Sequence, residues 1–345
     1  MKSMYRKSLM VILGLALIPA AGFAQDKPDE EVTPRTKQMY LEPHKKIYLE
    51  PKQTLIDKGM VGWLAAVSVG YDNNTWLDSR REGDMYTQQF LRGTFVSSLS
   101  EKTGVTASYE VMNLMYAGES KLDVIRNGVS GEIDHALTKN LNLSGGYAFD
   151  SIEYIQTGVD DYTEHELGGK LKHMLGNKMF QTLGYGLSYR DYSRRYNRTT
   201  SALVTTKNRK DVRNTVDYEI GKYFTKDMLK LTFQYFNNNS NDKYLNYYDY
   251  DSYRLGAAFT HIFNDKFSGY ASASRQYRDF RSRTLINDAG AHERDKTYLI
   301  NTALYYAYNK ATTFGLSYTY RQNRSNEPSE RYSGSLIALT TYYRF

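Results

Sequence analysis

The 345-residue chain contains no cysteine and only six prolines. The absence of cysteine excludes disulfides, thiolate metal sites, covalently attached haem, cysteine nucleophiles and an acylated N-terminal cysteine. The apolar stretch near the N terminus, residues 9–18, is too short to cross a bilayer as a helix, which needs about 20 residues. If this chain crosses a membrane, we expect it to do so with strands.

The N terminus has the order of regions that is typical of a secretory signal. Lys2, Arg6 and Lys7 precede the apolar stretch, and Gly22-Phe23-Ala24 forms a cleavage site before the next residue. We therefore predict that residues 1–24 are a signal peptide and that the rest of the chain leaves the cytoplasm.

Tyrosine is abundant, with 33 residues, yet the mean hydropathy is only -0.63. A transmembrane barrel can be polar on average because only every second residue faces lipid. The last strand shows this alternation, with Ile337 and Leu339 on one face and Ala338 and Thr340 on the other. Hydrocarbon offers no water to unpaired backbone groups, so such a sheet must close. The prediction is an all-β, transmembrane, up-and-down antiparallel barrel in the cell outer membrane; a soluble β-sandwich or propeller is the weaker alternative.

Turn residues divide residues 61–345 into fourteen strands, the first at 61–72 and the last at 332–345. Tight connectors such as 138–140 and 176–178 alternate with longer polar ones, as periplasmic turns alternate with outer loops in such barrels. An even number of strands places both ends of the barrel on the periplasmic side.

Charged residues within the strands should face the lumen, because a charge on the lipid face costs about 2 to 4 kcal/mol near the midplane. A hydrated pore with acidic and basic walls is one interpretation, and a barrel filled by paired charges is the other. The residues that we predict to line the pore are Glu110, Glu132, Asp134, Glu166, Lys170, Lys172, Arg190, Arg213, Asp217, Glu219, Lys230, Arg254 and Arg321.

Two local features carry a resemblance to a known family. The first strand ends in Tyr71-Asp72-Asn73-Asn74, a polar loop with Asp84 leads into the Tyr86 strand, and the chain ends in Tyr-Tyr-Arg-Phe. This resembles the second β-barrel porin family of Gram-negative bacteria over about residues 60–345. The resemblance implies an outer-membrane barrel for transport or envelope assembly, polysaccharide export included, without catalytic residues.

Residues 25–60 do not alternate like a strand and are predicted to form a periplasmic segment. Within it, Tyr-Leu-Glu-Pro occurs twice, at 40–43 and 48–51. The repeat suits docking of a periplasmic partner, for which the candidate residues are Tyr40, Leu41, Tyr48 and Leu49. A plug that enters the lumen and a linker without function are the alternatives.

The outer loops are expected to hold two clusters. Basic residues suit either anion capture or lipopolysaccharide phosphates; they are Arg194, Arg195, Arg198, Lys207, Arg209, Lys210, Arg275, Arg278, Arg281, Arg283 and Arg324. Aromatic and polar residues between 237 and 253 suit either sugar recognition or the interfacial aromatic belt, and we expect the belt for Tyr253.

An enzyme is the alternative of a different class. Only His165 with Asp160 and His292 with Asp288 come close enough in the sequence to suggest a site, and no His-Glu-x-x-His metal spacing occurs. We therefore expect no enzyme, no cofactor, no metal and no nucleic-acid partner. The expected partners are outer-membrane lipid, lipopolysaccharide and the barrel-insertion machinery, which should read Tyr343 and Phe345.

Overall fold

The computed structural model describes residues 59–345 except 79, 80, 159, 199–203 and 245. The signal peptide and the Tyr-Leu-Glu-Pro repeats lie outside the described residues. Fourteen strands form one sheet: β1 Met60–Asp72, β2 Asp84–Ser100, β3 Thr103–Tyr116, β4 Val124–Ala136, β5 Leu141–Tyr154, β6 Tyr162–Gly176, β7 Met179–Arg198, β8 Val204–Tyr223, β9 Asp227–Ser240, β10 Tyr250–Ile262, β11 Phe267–Thr284, β12 His292–Ala307, β13 Thr312–Ser325 and β14 Tyr332–Arg344.

Each strand pairs antiparallel with its neighbours in sequence, and β1 pairs with β14 to close the barrel. The pairing of β1 with β14 continues to the last residue. The Phe345 N–H donates to the Trp63 carbonyl at 3.1 Å, and the Trp63 N–H donates to the Phe345 carbonyl at 2.9 Å. Their rings stack with centroids 6.5 Å apart. The predicted fourteen-stranded antiparallel barrel is confirmed. Tyr343 and Phe345 face outward, and their role as an assembly signal stays a prediction.

The two ends of the barrel differ in the length of their connectors. At one end, which we call the short-turn end, the chain reverses in a few residues. Between β6 and β7 it does so at Gly176, Asn177 and Lys178, with φ of 83°, 47° and 61°, a left-handed backbone that glycine and asparagine tolerate best. The other end, which we call the mouth, carries the long connectors. Among the described residues, no helix is long and apolar enough to span a membrane.

Side chains alternate between the two faces of the wall. In β14, Ile337, Leu339 and Tyr343 point outward and are exposed, whereas Ala338 and Thr340 point inward and are buried. The same alternation recurs around the barrel, so the outer surface is a belt of leucine, valine, phenylalanine and tyrosine side chains. Such a belt is what a bilayer requires of a barrel wall.

Three strands reach further than the sequence indicated. β7, β8 and β11 continue for several polar residues at the mouth, with register shifts between Asp191 and Tyr196 and between Asp279 and Thr284. The expectation that the basic cluster lies in loops is wrong, because all eleven of its residues belong to strands, namely to β7, β8, β11 and β13. Four of them lie in the extensions: Arg198, Lys207, Arg281 and Arg283. Above the bilayer, backbone pairing propagates without apolar alternation, so the pattern that marks a membrane strand is missing there.

Candidate functional site: the barrel interior

All thirteen charged residues that we predicted to line the pore lie at inward-facing positions of their strands. Their role in a pore stays a prediction, but the structure gives their partners. It also adds inward charges that the sequence analysis missed. Arg92 pairs with Glu110 from the neighbouring strand, and Glu164 pairs with Arg190 at 3.0 Å. These pairs could have been predicted from the sequence by looking for opposite charges that face each other across a hairpin.

The interior near the short-turn end is open to solvent. Lys170 and Glu132 pair at 3.6 Å, yet their side chains remain 45% and 43% exposed. Lys230 and Glu219 pair at 3.0 Å and are about a quarter exposed. Both signs of charge are present, and exposed pairs of this kind contribute little to stability. This half of the interior is therefore hydrated and close to neutral.

Nearer the mouth, the interior carries a band of arginines that we call the arginine layer. It comes from six strands and consists of Arg126, Arg190, Arg213, Arg254, Arg278 and Arg321. Five inward carboxylates lie in the same band, namely Asp72, Asp150, Glu164, Asp211 and Asp295. Asp211 is neutralised by Arg209, which is not a member of the layer. The six cations of the layer therefore face four other anions, which leaves an excess of positive charge.

Three members of the layer are held by buried or nearly buried ion pairs. Arg321 approaches Asp72 at 2.5 Å with side chains 5% and 0% exposed. Arg126 approaches Asp150 at 2.8 Å, and Arg190 forms an ion pair with Glu164. Charges withdrawn from water in this way need partners, because a single unpaired charge would be costly.

The remaining arginines contact neutral and aromatic groups. Arg213 donates to the Tyr250 hydroxyl at 3.2 Å, and Arg254 donates to the side-chain amide oxygen of Gln276 at 2.7 Å. The Arg278 guanidinium lies 4.8 Å from the centre of the Tyr250 ring. Tyr250 packs with Phe236 and Phe280 in an interior aromatic cluster. On this side of the layer, guanidinium groups therefore lie beside flat rings.

The connector between β1 and β2 folds into the mouth. Asn74 and Leu77 are buried, and Trp76 packs against the cluster that contains Tyr86 and Tyr116. Arg321 holds this connector as well, since it donates to the Asn74 carbonyl at 2.8 Å. One guanidinium thus joins the wall, the end of β1 and the inserted connector.

A second connector, residues 241–249, is held at the mouth by cation–π contacts. Arg209 lies 4.4 Å from the centre of the Tyr192 ring and 3.4 Å from that of Tyr248. Arg283 lies 4.6 Å from the centre of the Tyr247 ring and pairs with Glu293 at 2.7 Å. The rings of Tyr192, Tyr247 and Tyr248 are therefore already in contact with arginines of this chain. Tyr253 lies on the outer face of the wall, as expected for the aromatic belt.

Two buried carboxylates fasten connectors at the mouth. Burial raises the pKa of the Asp249 carboxyl, although the Ser240 N–H donates to it at 2.7 Å. Burial also opposes ionisation of Glu327, but N–H groups of Ile286 and Ser329 donate to its carboxylate and lower its pKa. Glu327 lies in the connector between β13 and β14, and it thereby fastens that connector to the one between β11 and β12.

The histidines suggested by the sequence do not assemble a site within the described residues. The His165 ring lies on the outer wall and bonds to the Tyr147 hydroxyl at 2.7 Å, whereas Asp160 pairs with Arg195 at 2.6 Å. The Asp288 carboxylate accepts the N–H of Gly290, and His292 makes no side-chain contact with it. Across the residues that the structure describes, no group of three histidine or acidic side chains could hold a metal ion.

The barrel resembles solved outer-membrane proteins. OmpT of Vibrio cholerae, folded in vitro in its trimer form, matches with a TM-score of 0.51 and 8% identity, over 84% of this chain and all of that chain. This chain has the fold of an outer-membrane β-barrel. An anion-selective porin from Comamonas acidovorans gives a TM-score of 0.48 and 11% identity, over 84% of this chain and 99% of that one. A FadL homologue of Pseudomonas aeruginosa gives 0.47 and 9%, over 84% and 90%.

No protein-family model matches the chain, and no curated protein matches it by sequence. The resemblance to the second β-barrel porin family therefore stays a prediction, while the outer-membrane barrel is established as a fold. In such barrels the short turns face the periplasm and the long connectors face outward, so the arginine layer lies on the outer side of the lumen.

Replacing Arg321 with methionine should destabilise the barrel by about 3 to 5 kcal/mol, because Asp72 would remain buried without that cation. The free energy of unfolding can be measured by urea titration of the barrel refolded into phospholipid vesicles. Arg344→Met, an inward but exposed position at the short-turn end, is the matched control and should change stability by less than about 0.5 kcal/mol. Adding Asp72→Asn to the first variant should restore part of the loss, and a loss below about 1 kcal/mol would contradict the pairing.

Proposed function

We propose that the barrel is an outer-membrane channel for polar solutes that are anionic or sugar-like. The observation that carries this proposal is the arginine layer, an excess of guanidinium groups beside flat rings, placed above a hydrated interior. Rings of arginine select anions in pores. Fourteen strands lie nearer to the sizes that leave an aqueous passage than to the eight-stranded barrels that side chains fill.

The mechanism needs no covalent chemistry. A solute with carboxylate or phosphate groups would exchange water for guanidinium hydrogen bonds within the layer, and neighbouring aromatic faces would contact the apolar faces of sugar rings. The hydrated half beyond the layer carries paired charges and would offer little resistance. An acidic polysaccharide presents carboxylates and sugar faces together, which makes export of such a polymer the more specific form of the proposal.

The surroundings of the channel belong to the same proposal. The signal peptide would direct the chain out of the cytoplasm, and the segment 25–60 would remain in the periplasm beside the short turns. The barrel-insertion machinery would recognise the terminal strand with Tyr343 and Phe345. The expectation that the protein is not an enzyme rests on the absence of a recognisable catalytic constellation in the sequence.

Conductance in planar bilayers tests the channel. The wild-type barrel should give open steps of stable size with a preference for anions. The double variant Arg213→Gln and Arg254→Gln should lower the ratio of anion to cation permeability by about twofold or more, since two cations leave the layer.

The control for this measurement is Glu219→Gln with Lys230→Gln, which removes an ion pair from the hydrated half without changing the net charge. Its permeability ratio should match that of the wild-type protein. A wild-type barrel that gives no open conductance steps would contradict the proposal of a channel. An unchanged ratio of anion to cation permeability in the arginine variant would contradict the role of the arginine layer.

A structural or assembly role is the second candidate, because the duplicated Tyr-Leu-Glu-Pro element at fixed spacing suits a bivalent docking peptide. Aromatic anchors carry much of the energy in small interfaces. Changing Tyr40, Leu41, Tyr48 and Leu49 to alanine should therefore abolish co-purification of a periplasmic partner while the heat-modifiable barrel still forms. If the segment is a plug, deletion of residues 25–58 should instead raise the single-channel conductance. If neither the co-purification of a partner nor the single-channel conductance changes, the repeat has no role in function.

A further inference from the structure

Three cations form a compact group on the outer surface of the wall near the mouth. Arg275 in β11, Lys296 in β12 and Arg324 in β13 all point outward and are exposed. The strand register sets Arg275 opposite Tyr298 and Lys296 opposite Arg324. Both guanidiniums lie against the Tyr298 ring, with 5.7 Å from Arg275 and 5.4 Å from Arg324 to the ring centre. We call Arg275, Lys296, Tyr298 and Arg324 the outer basic patch.

Unlike Arg281 and Arg294, two other exposed cations near the mouth, the cations of the outer basic patch have no carboxylate partner among the described residues. Arg281 pairs with Asp251 at 3.0 Å, and Arg294 pairs with Asp279 at 3.3 Å. Within the residues that the structure describes, no ion pair joins Arg275, Lys296 or Arg324 to an acidic side chain. The Arg324 guanidinium donates instead to the side-chain amide oxygen of Gln322, at 3.1 Å. Three like charges therefore stand close together without an anion of this chain among them.

The height of the patch on the wall indicates what lies in front of it. On the same strands, toward the short-turn end, the outward side chains are apolar and exposed, among them Ile300, Leu304, Leu316 and Tyr318. Those residues belong to the lipid-facing belt. A cation within that belt would cost about 2 to 4 kcal/mol at the midplane and little near the interface. The patch thus lies where the outer leaflet changes from hydrocarbon to polar headgroups.

We infer that the outer basic patch binds a phosphate group of lipopolysaccharide in the outer leaflet. A phosphate accepts paired hydrogen bonds from guanidinium groups and is attracted by a nearby ammonium group. Tyr298 keeps the two guanidiniums over its ring. Apart from the Arg324 Nε–H, which donates to Gln322, their N–H groups make no hydrogen bond within the described residues and can face the lipid. Because the patch lies outside the lumen, this site is independent of the proposed channel.

The amount of lipopolysaccharide that stays bound to the barrel through detergent extraction reports on this site. The wild-type barrel, purified from outer membranes, should retain the lipid in native mass spectra. The variant Arg275→Gln, Lys296→Gln and Arg324→Gln should bind bisphosphorylated lipid A in detergent about tenfold or more weakly, because several charge-assisted hydrogen bonds are lost. Arg281→Gln with Arg294→Gln removes paired cations at the same end and should leave the affinity within about twofold.

Further measurements identify the source of the phosphate and guard against misfolding. Dephosphorylated lipid A should bind the wild-type barrel as weakly as bisphosphorylated lipid A binds the triple variant. Inorganic phosphate should not compete with lipid A at millimolar concentration; if it displaces lipid A fully, the site is one for the free ion and the inference fails. Equal loss in the patch variant and the paired-cation control would show general charge attraction and would also overturn it. Arg324→Gln alone, with heat-modifiable migration unchanged, provides a folded variant that should still lose affinity.

Discussion

The requirement that every backbone N–H and C=O group find a partner within the sheet governs this molecule. Hydrocarbon cannot hydrogen-bond to an open strand edge, so β1 must meet β14, and the pairing extends to Trp63 and Phe345. Closure then divides the residues into an outer set that meets lipid and an inner set that is free to be polar. The belt, the charged interior and the low mean hydropathy all follow from that division.

The interior responds to its own constraint, which is that charges removed from water need partners. Where the lumen is hydrated, as around Lys170 and Glu132, ion pairs remain exposed and loose. Where connectors pack against the wall at the mouth, guanidiniums are held by carboxylates, carbonyl oxygens and rings. Arg321 shows the coupling most clearly, since it contacts both Asp72 and the Asn74 carbonyl. The arginine layer is thus both the structural support of the mouth and the proposed selective element, so changes that affect selectivity there will also affect stability.

The strands and their faces could be predicted because the bilayer imposes strict alternation on the sequence. The spacing of Ile337 and Leu339 is enough to predict a lipid-facing row without knowledge of the neighbouring strands. Inward positions such as Arg190 are then the residues that alternate with the outward ones. The extensions of β7, β8 and β11 could not be predicted, because polar residues above the membrane carry no alternation. Nor could the inserted connector, since the burial of Asn74 and Leu77 depends on Tyr86, Tyr116 and Arg321, which lie in distant strands. The pairing of Arg92 with Glu110 could have been predicted, because both residues face inward and lie opposite each other in one hairpin.

The central claim is that the lumen has a hydrated half and, near the mouth, a layer whose groups next to the wall are packed while Arg213 and Arg254 stay partly exposed to the passage. The absence of cysteine allows a direct test with single cysteines at two inward positions, Glu132 in the hydrated half and Ser252 in the buried layer. The barrel would be placed in lipid nanodiscs, open on both sides, and treated with a charged thiol reagent that does not enter bilayers. We predict that Glu132→Cys reacts at least about tenfold faster than Ser252→Cys, because modification requires access to the thiolate. Equal rates at the two positions would contradict this account of the interior.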